Sequence, residues 1–250
     1  MSGIPKSYII IPARLASTRL PNKLLLKETG KPLIQYPYEA AVRSRLASGV
    51  CVACDDQKIL DAVEGFGGKA VLTDPNAASG TDRIAEVAAN LADVEIIVNV
   101  QGDEPDLDPN SIDLLIELLA SDPESQMATL ATPIHRQEDL NDPACVKVVF
   151  DKNGRALYFS RSPIPYPRSW SEDLLNADPP LFYQHLGIYA YRRDFLLGIT
   201  KVPRSDIEKT ESLEQLRVLS EGYAIRIGVV HEKSFGIDTP EDYRRFVESR

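Results

Sequence analysis

The alternation of apolar and polar positions divides the chain into two unlike halves. In the first, short apolar runs at 8–13 (YIIIPA), 49–54 (GVCVAC), 69–73 (KAVLT), 94–105 (VEIIVNVQGDEP) and 126–134 (QMATLATPI) predict strands. Unbroken apolar runs of this length suit a parallel sheet covered on both faces. Between them, residues 31–47 predict a helix in their later part, with Pro37 inside its first turns; residues 56–68 predict one closed by glycines. Residues 80–92 and 108–121 predict two more, the latter with Pro109 at its first position. Such alternation defines a three-layer α/β fold with a mainly parallel, mixed central sheet.

The second half is less regular. Residues 145–161 (CVKVVFDKNGRALYFSR) predict two strands about a turn at Asn153-Gly154. Residues 162–180, rich in proline and polar side chains, predict an irregular excursion. A strand over 185–193, a helix with an apolar face over 211–222 and a strand over 224–231 follow. In DTPEDYRRFVESR, Thr239 suits a helix N-cap, Pro240 the first helical position and Asp242 the third. The expectation is one domain over 1–250, with 1–134 a nucleotide-binding half and 135–250 an interleaved, antiparallel-rich sub-lobe.

Composition narrows the function classes. A net charge of −9 argues against broad nucleic-acid binding, which needs a basic face, but leaves room for an anionic small molecule where cations are gathered locally. No apolar run approaches the ~18 residues of a membrane span, and the opening MSGIPKSYIII lacks a leader's apolar region, so a cytoplasmic protein is expected. Cys51 and Cys54 form a C-x-x-C, but on a strand positions three apart face opposite ways, so buried structural thiols are expected rather than a redox or metal pair.

The gathering of cations occurs in IIIPARLASTRLPNK (9–23), where Arg14, Arg19 and Lys23 leave the first strand with no acid among them. Arginine supplies bidentate hydrogen bonds to phosphate oxygens and lysine a mobile point charge, so a polyphosphate clamp and three solvated surface charges both fit the spacing. In open α/β sheets ligands sit beyond the carboxyl ends of the strands. There the second strand offers Asp55 and Asp56, and the fourth Gln101-Gly102-Asp103-Glu104. Asp103 suits a hard cation such as Mg²⁺, held by one or two carboxylates plus phosphates, though strand-end acids also simply form loops. SGTDR (79–83) offers backbone amides at a helix start, or a plain capped helix. Neither a glycine-rich dinucleotide fingerprint nor a P-loop is present.

In order along the chain, IIIPARLASTRLPNK, SGTDR, IVNVQGDEP, MATLATPI, VKVVFDKNGRALYFSRSPIP, HLGIYAYRRDF, SLEQLRVL and GIDTPEDY resemble the bacterial 3-deoxy-manno-octulosonate cytidylyltransferases, also called CMP-Kdo synthetases. The likeness covers nearly the whole chain. It implies a compact α/β nucleotidyltransferase-type fold, Mg²⁺ as cofactor, a homodimer, and transfer of CMP from CTP to the C2 hydroxyl of Kdo, an acidic sugar of the lipopolysaccharide core. It further implies that Arg14, Arg19, Lys23 and Asp103 are catalytic. Pro12, Ala13, Arg14, Lys23, Ser79, Gly80, Thr81 and Gln101 would bind CTP; Arg19, Gln101, Arg161, His185, Tyr189, Glu214 and Gln215 would bind Kdo. Arg161 and His185 would suit its carboxylate, and Asp103 and Asp238 would ligate the metal. The half 135–250 would bind the sugar and form the dimer.

Taken alone, His185 is as well read as a structural histidine, one of Tyr189 and Tyr191 as core, and Asp238 as a neighbour of the last helix; His135 and His231 are read as structural. The chain departs from the family at RLPNKLLL, where Asn22 stands for a glycine and Leu24 for a proline; Asn tolerates a left-handed backbone better than most residues. Three rivals remain: the same chemistry on a sialic acid or an amino-substituted Kdo, a metal-dependent glycosyltransferase using Asp106-Leu107-Asp108 (a pair placed directly before a helix, where capping is the simpler role), and a non-catalytic nucleotide-binding module.

Overall fold

The computed structural model describes residues 4–232 and 235–250. Nine strands form one sheet among the described residues: β1 Ser7–Ala13, β2 Ala47–Cys54, β3 Ala70–Leu72, β4 Ile96–Asn99, β5 Ser125–Pro133, β6 Lys147–Phe150, β7 Ala156–Ser160, β8 Tyr183–Arg192 and β9 Ala224–Val229. The helices are α1 Gln35–Val42, α2 Gln57–Gly65, α3 Gly80–Ala88, α4 Pro109–Ser121, α5 Gln137–Asn141, α6 Arg193–Ile199, α7 Asp206–Glu211, α8 Gln215–Ser220 and α9 Pro240–Glu248. The main sheet runs β3-β2-β1-β4-β8-β5-β9. Only β8 is antiparallel to its neighbours along this path. The hairpin β6–β7 hangs from β8, with Lys147 opposite Gln184.

Strand parity explains the apolar runs. Ile9 and Ile11 enter one core with Val50, Val52 and Cys54, against Ile59 and Val63 of α2 and Ile112 and Leu115 of α4. Ile10, Cys51 and Ala53 face the other way, toward Ile84 and Val87 of α3, Leu196 of α6 and Leu216 of α8. A strand with both faces covered has no polar positions to offer, and each fully buried isoleucine contributes about 1.5–3 kcal/mol. The two thiols of the C-x-x-C thus sit in separate cores. Burial pushes Cys51 up to about 12 and Cys54 to about 11, far from a reactive thiolate.

A smaller cluster of Leu20, Leu33, Ile237, Tyr243 and Phe246 packs the C-terminal helix α9 onto the segment that follows β1. Tyr243 reinforces it: its hydroxyl accepts from the Glu28 backbone N–H at 3.1 Å and donates to the Glu28 carboxylate. Thr239 accepts from the Asp242 N–H while Asp242 reaches back to the Thr239 N–H, the capping box expected of that segment.

Several boundaries differ from the sequence reading. The helix expected over 211–222 is broken: Ser212 takes a left-handed conformation (φ 52°), ending α7, and α8 restarts at Gln215. The strand expected over 94–105 is short, because its chain turns away after Asn99 to form the site described below. The 31–47 helix keeps only Gln35–Val42, with Pro37 harmless at its third position, where no intrahelical donor is required. The helices α5, α6 and α7 and a 3₁₀ turn at Glu172–Asn176 were not evident in the pattern.

Removing the cap with Thr239→Ala should cost about 1 kcal/mol in urea unfolding, whereas Thr239→Ser should lie within a few tenths of the parent.

Candidate active site

The chain leaves β1 toward β2 and β3, then crosses to β4 on the other side, so the strand order reverses between β1 and β4. Beyond their carboxyl ends lies a cavity of about 360 Å³, where Pro12, Arg14, Arg19, Lys23, Gly80, Gln101, Asp103 and Asp238 come together. A crevice at such a switch point is where α/β sheets bind ligands. Gly102 permits the close approach of its walls, since a Cβ there would stand 2.9 Å from Ile34 Cδ1. Asn22 takes the left-handed conformation (φ 55°, ψ 27°) that a glycine would otherwise supply, and the 3₁₀ turn Lys23–Leu25 follows directly.

Lys23 lies at the centre of the site's charge. Its ammonium donates to Asp103 Oδ2 at 2.5 Å, Asp238 Oδ1 at 2.8 Å and the Ile237 carbonyl at 3.0 Å. Burial pulls its pKa down, but the two carboxylates outweigh that and hold it above the ordinary lysine value. Arg19 reaches Asp238 Oδ2 at 3.0 Å from a largely exposed position, and Arg14 donates across the mouth to the Ala77 carbonyl at 2.9 Å. The backbone link from Ile237 N–H to the Asp103 carbonyl (2.9 Å) brings the residue before Asp238 beside Asp103.

Sequence reasoning missed what holds this loop from behind. Asp55, at the tip of β2, accepts from the Leu15 N–H at 2.9 Å and faces Arg83 at 3.7 Å. Arg83 is wholly buried; it donates to Thr73, while its Nε and one terminal nitrogen have no hydrogen-bond partner among the described residues. Asp55 was visible as a strand-end acid, but its partner in α3 was not. Ser17 and Thr18, also on the cavity wall, were legible only as members of the cationic segment.

The remaining candidates extend from the mouth along β8. Ser79 caps α3, accepting from the Asp82 N–H, and Ala13 is buried at the end of β1. Thr81 donates to Glu214 at 2.6 Å, joining the start of α3 to the start of α8. Gln101 donates to the Gly187 carbonyl at 3.0 Å, linking the cavity to the strand that bears His185 and Tyr189. Those two rings lie 5.5 Å apart. Of the tyrosine pair, Tyr191 is the core member. Gln215 is buried, with an amide nitrogen that has no partner among the described residues. Arg161 stands apart from the cavity, its guanidinium donating to the carbonyls of Glu211 (2.7 Å) and Pro143 (2.9 Å).

The structure sharpens two of the sequence readings. His185 does not bring a positive charge: burial pulls its imidazole down to about 3, and its Nε2 hydrogen-bonds the Thr129 hydroxyl at 3.0 Å, so the ring is neutral at ordinary pH. Asp106-Leu107-Asp108 is not free as a metal pair, because Asp108 caps α4 by accepting from the Asn110 N–H and Asp106 pairs with Arg250.

The site's chemistry is that of a polyanion cleft: fixed cations at a strand mouth opposite two carboxylates whose oxygens converge on one point. Comparison with known proteins places the chain as a whole. A cytidylyltransferase family model matches residues 8–233. The chain is 49% identical over 242 residues to the 3-deoxy-manno-octulosonate cytidylyltransferase of Rhodopirellula baltica, covering 96% of this chain and 97% of that one. It is 48% identical over 243 residues to the enzyme of the same name from Geobacter sulfurreducens, with 96% and 97% covered. A solved structure of CMP:2-keto-3-deoxy-manno-octonic acid synthetase complexed with CTP superimposes with a TM-score of 0.90 at 43% identity, covering 98% of each chain. These likenesses define a nucleotidyltransferase. The chain belongs to the 3-deoxy-manno-octulosonate cytidylyltransferase family.

The buried His185 predicts an acid limb in stability. Unfolded, it titrates near 6.5; folded, near 3. Below pH 6.5 the unfolded chain therefore binds a proton that the folded one refuses, and this group should cost about 2 kcal/mol by pH 5 relative to pH 7.5. Urea unfolding of His185→Gln across this range should show a shallower decline than the parent; an unchanged slope would mean that the ring charges in place.

Proposed function

We propose that the chain transfers CMP from CTP to the C2 hydroxyl of Kdo, releasing pyrophosphate, as a cytoplasmic step supplying lipopolysaccharide core synthesis. The observation that carries this reading is the trio Arg14, Arg19 and Lys23 facing Asp103 and Asp238 at the switch point, in a chain nearly half identical to relatives of that name. The acceptor oxygen bonds the α-phosphorus while the bond to the β-phosphate breaks, and the electron pair leaves with pyrophosphate. Arg14, Arg19 and Lys23 hold the triphosphate and the charge that grows on the leaving group, the main task in such transfers. Pro12, Ala13, Ser79, Gly80 and Thr81 line the base and ribose side. Gln101 reaches both substrates, and Arg161, His185, Tyr189, Glu214 and Gln215 read the sugar. Burial raises the Tyr189 phenol, which therefore stays protonated and able to donate. His185 offers hydrogen bonds rather than charge, which leaves Arg161 and Arg19 as the cations for the sugar's carboxylate.

Asp103 and Asp238 suit a magnesium ion: two carboxylates plus phosphates are the donor set it prefers, and their oxygens converge on the Lys23 ammonium, which would have to turn to the phosphates for the ion to be held there. Bound there, it would supply Lewis acidity that lowers the pKa of the sugar hydroxyl. Among the described residues no helix is long and apolar enough to cross a membrane. A homodimer belongs to the same reading.

Pyrophosphate release from CTP with a panel of acidic sugars tests the reaction. Kdo should turn over fastest; a sialic acid or amino-substituted Kdo turning over much faster would overturn the acceptor, and no release at all would overturn the class. Asp103→Asn should fold normally yet lose about two orders of magnitude or more in kcat, as for a lost metal ligand.

A further inference from the structure

Lys147 is wholly buried and forms no ion pair among the described residues; its three donors are all used on backbone carbonyls. It donates to Asp142 O at 2.9 Å, Cys145 O at 2.6 Å and Arg161 O at 2.6 Å. An ammonium in that setting is costly, and methionine would fill the same space, so the contacts it fixes are what distinguish it.

Those contacts lie where the sugar-side segments meet. The Arg161 side chain grips the same loop as Lys147, donating to Pro143 O, and its Nε donates to the Glu211 carbonyl, while the Arg161 backbone N–H donates to the Glu211 carboxylate. The next residue, Ser212, makes the left-handed break that aims the chain at Glu214 and Gln215. On the other side, Lys147 pairs with Gln184 across the strand, and the His185 N–H bonds the Val146 carbonyl at 2.8 Å. One internal cation thus adjoins the stretches that carry Arg161, His185, Glu214 and Gln215.

We propose that Lys147 is a positioning residue for the acidic acceptor: a fixed buried cation that holds Arg161 and the 211–215 turn in register for the sugar. The proposal rests on the sugar-side reading above.

The test is steady-state kinetics of Lys147→Met with CTP and Kdo. The KM for Kdo should rise roughly tenfold or more while that for CTP changes less than about twofold. In an Arg161→Ala background the same substitution should have little further effect on the Kdo KM, because it acts through Arg161. A Kdo KM within twofold of the parent, parallel losses for both substrates, or full additivity with Arg161→Ala would each overturn the inference. Lys147→Gln, which retains two donors, replaces the methionine variant if that one does not fold, and is judged by the same outcomes. A parent enzyme that does not turn over Kdo defeats the functional reading and this inference together; a parent that does, beside an unaffected variant, defeats this inference alone.

Discussion

Two carboxylates converging on one ammonium set the geometry on which the cleft depends. Asp103 follows β4, Asp238 precedes α9 and Lys23 follows β1, so the Lys23 contact draws together three distant parts of the chain. Without a cation between them the two acids would repel one another. An exposed ion pair is worth little, but Lys23 is only 13% exposed, so its attraction is screened less than at the surface. The apolar contacts of Leu20, Leu33, Ile237, Tyr243 and Phe246 supply most of the adhesion, and the ion pairs fix the register.

The rest of the cleft is arranged so that an acidic chain can hold an anion. Arg14 and Arg19 stay outward, while Asp55 anchors the loop by its backbone rather than by neutralising those side chains. Buried Arg83 stands behind Asp55. Positive charge is thereby concentrated locally although the total is −9.

Much of this was legible in the sequence because it is local. Unbroken apolar runs reported strands covered on both faces, and Thr239, Pro240 and Asp242 reported a helix start to the residue. Asn22 reported a left-handed turn. What was hidden is non-local. Nothing near Ser212 signals that a helix stops there; the Glu211 carboxylate is held instead by Ser160 and Arg161 from the hairpin. The neutrality of His185 follows from packing under Phe159 and beside Thr129, which periodicity does not encode. Resemblance gathered the sugar-side residues into one group, but the bonds from Gln101 to Gly187 and from Thr81 to Glu214 appear only in three dimensions.

The position of β8 carries one more consequence. This strand comes from the second half of the chain yet lies between β4 and β5 of the first, bonded to both. On the proposed function, the part that would read the acceptor is therefore woven into the slab that would hold the nucleotide. It is not a detachable module, and a new acceptor preference could not arise by exchanging one cassette for another. Only side-chain replacement on a fixed backbone remains, which confines divergence at this site to sugars of closely similar shape.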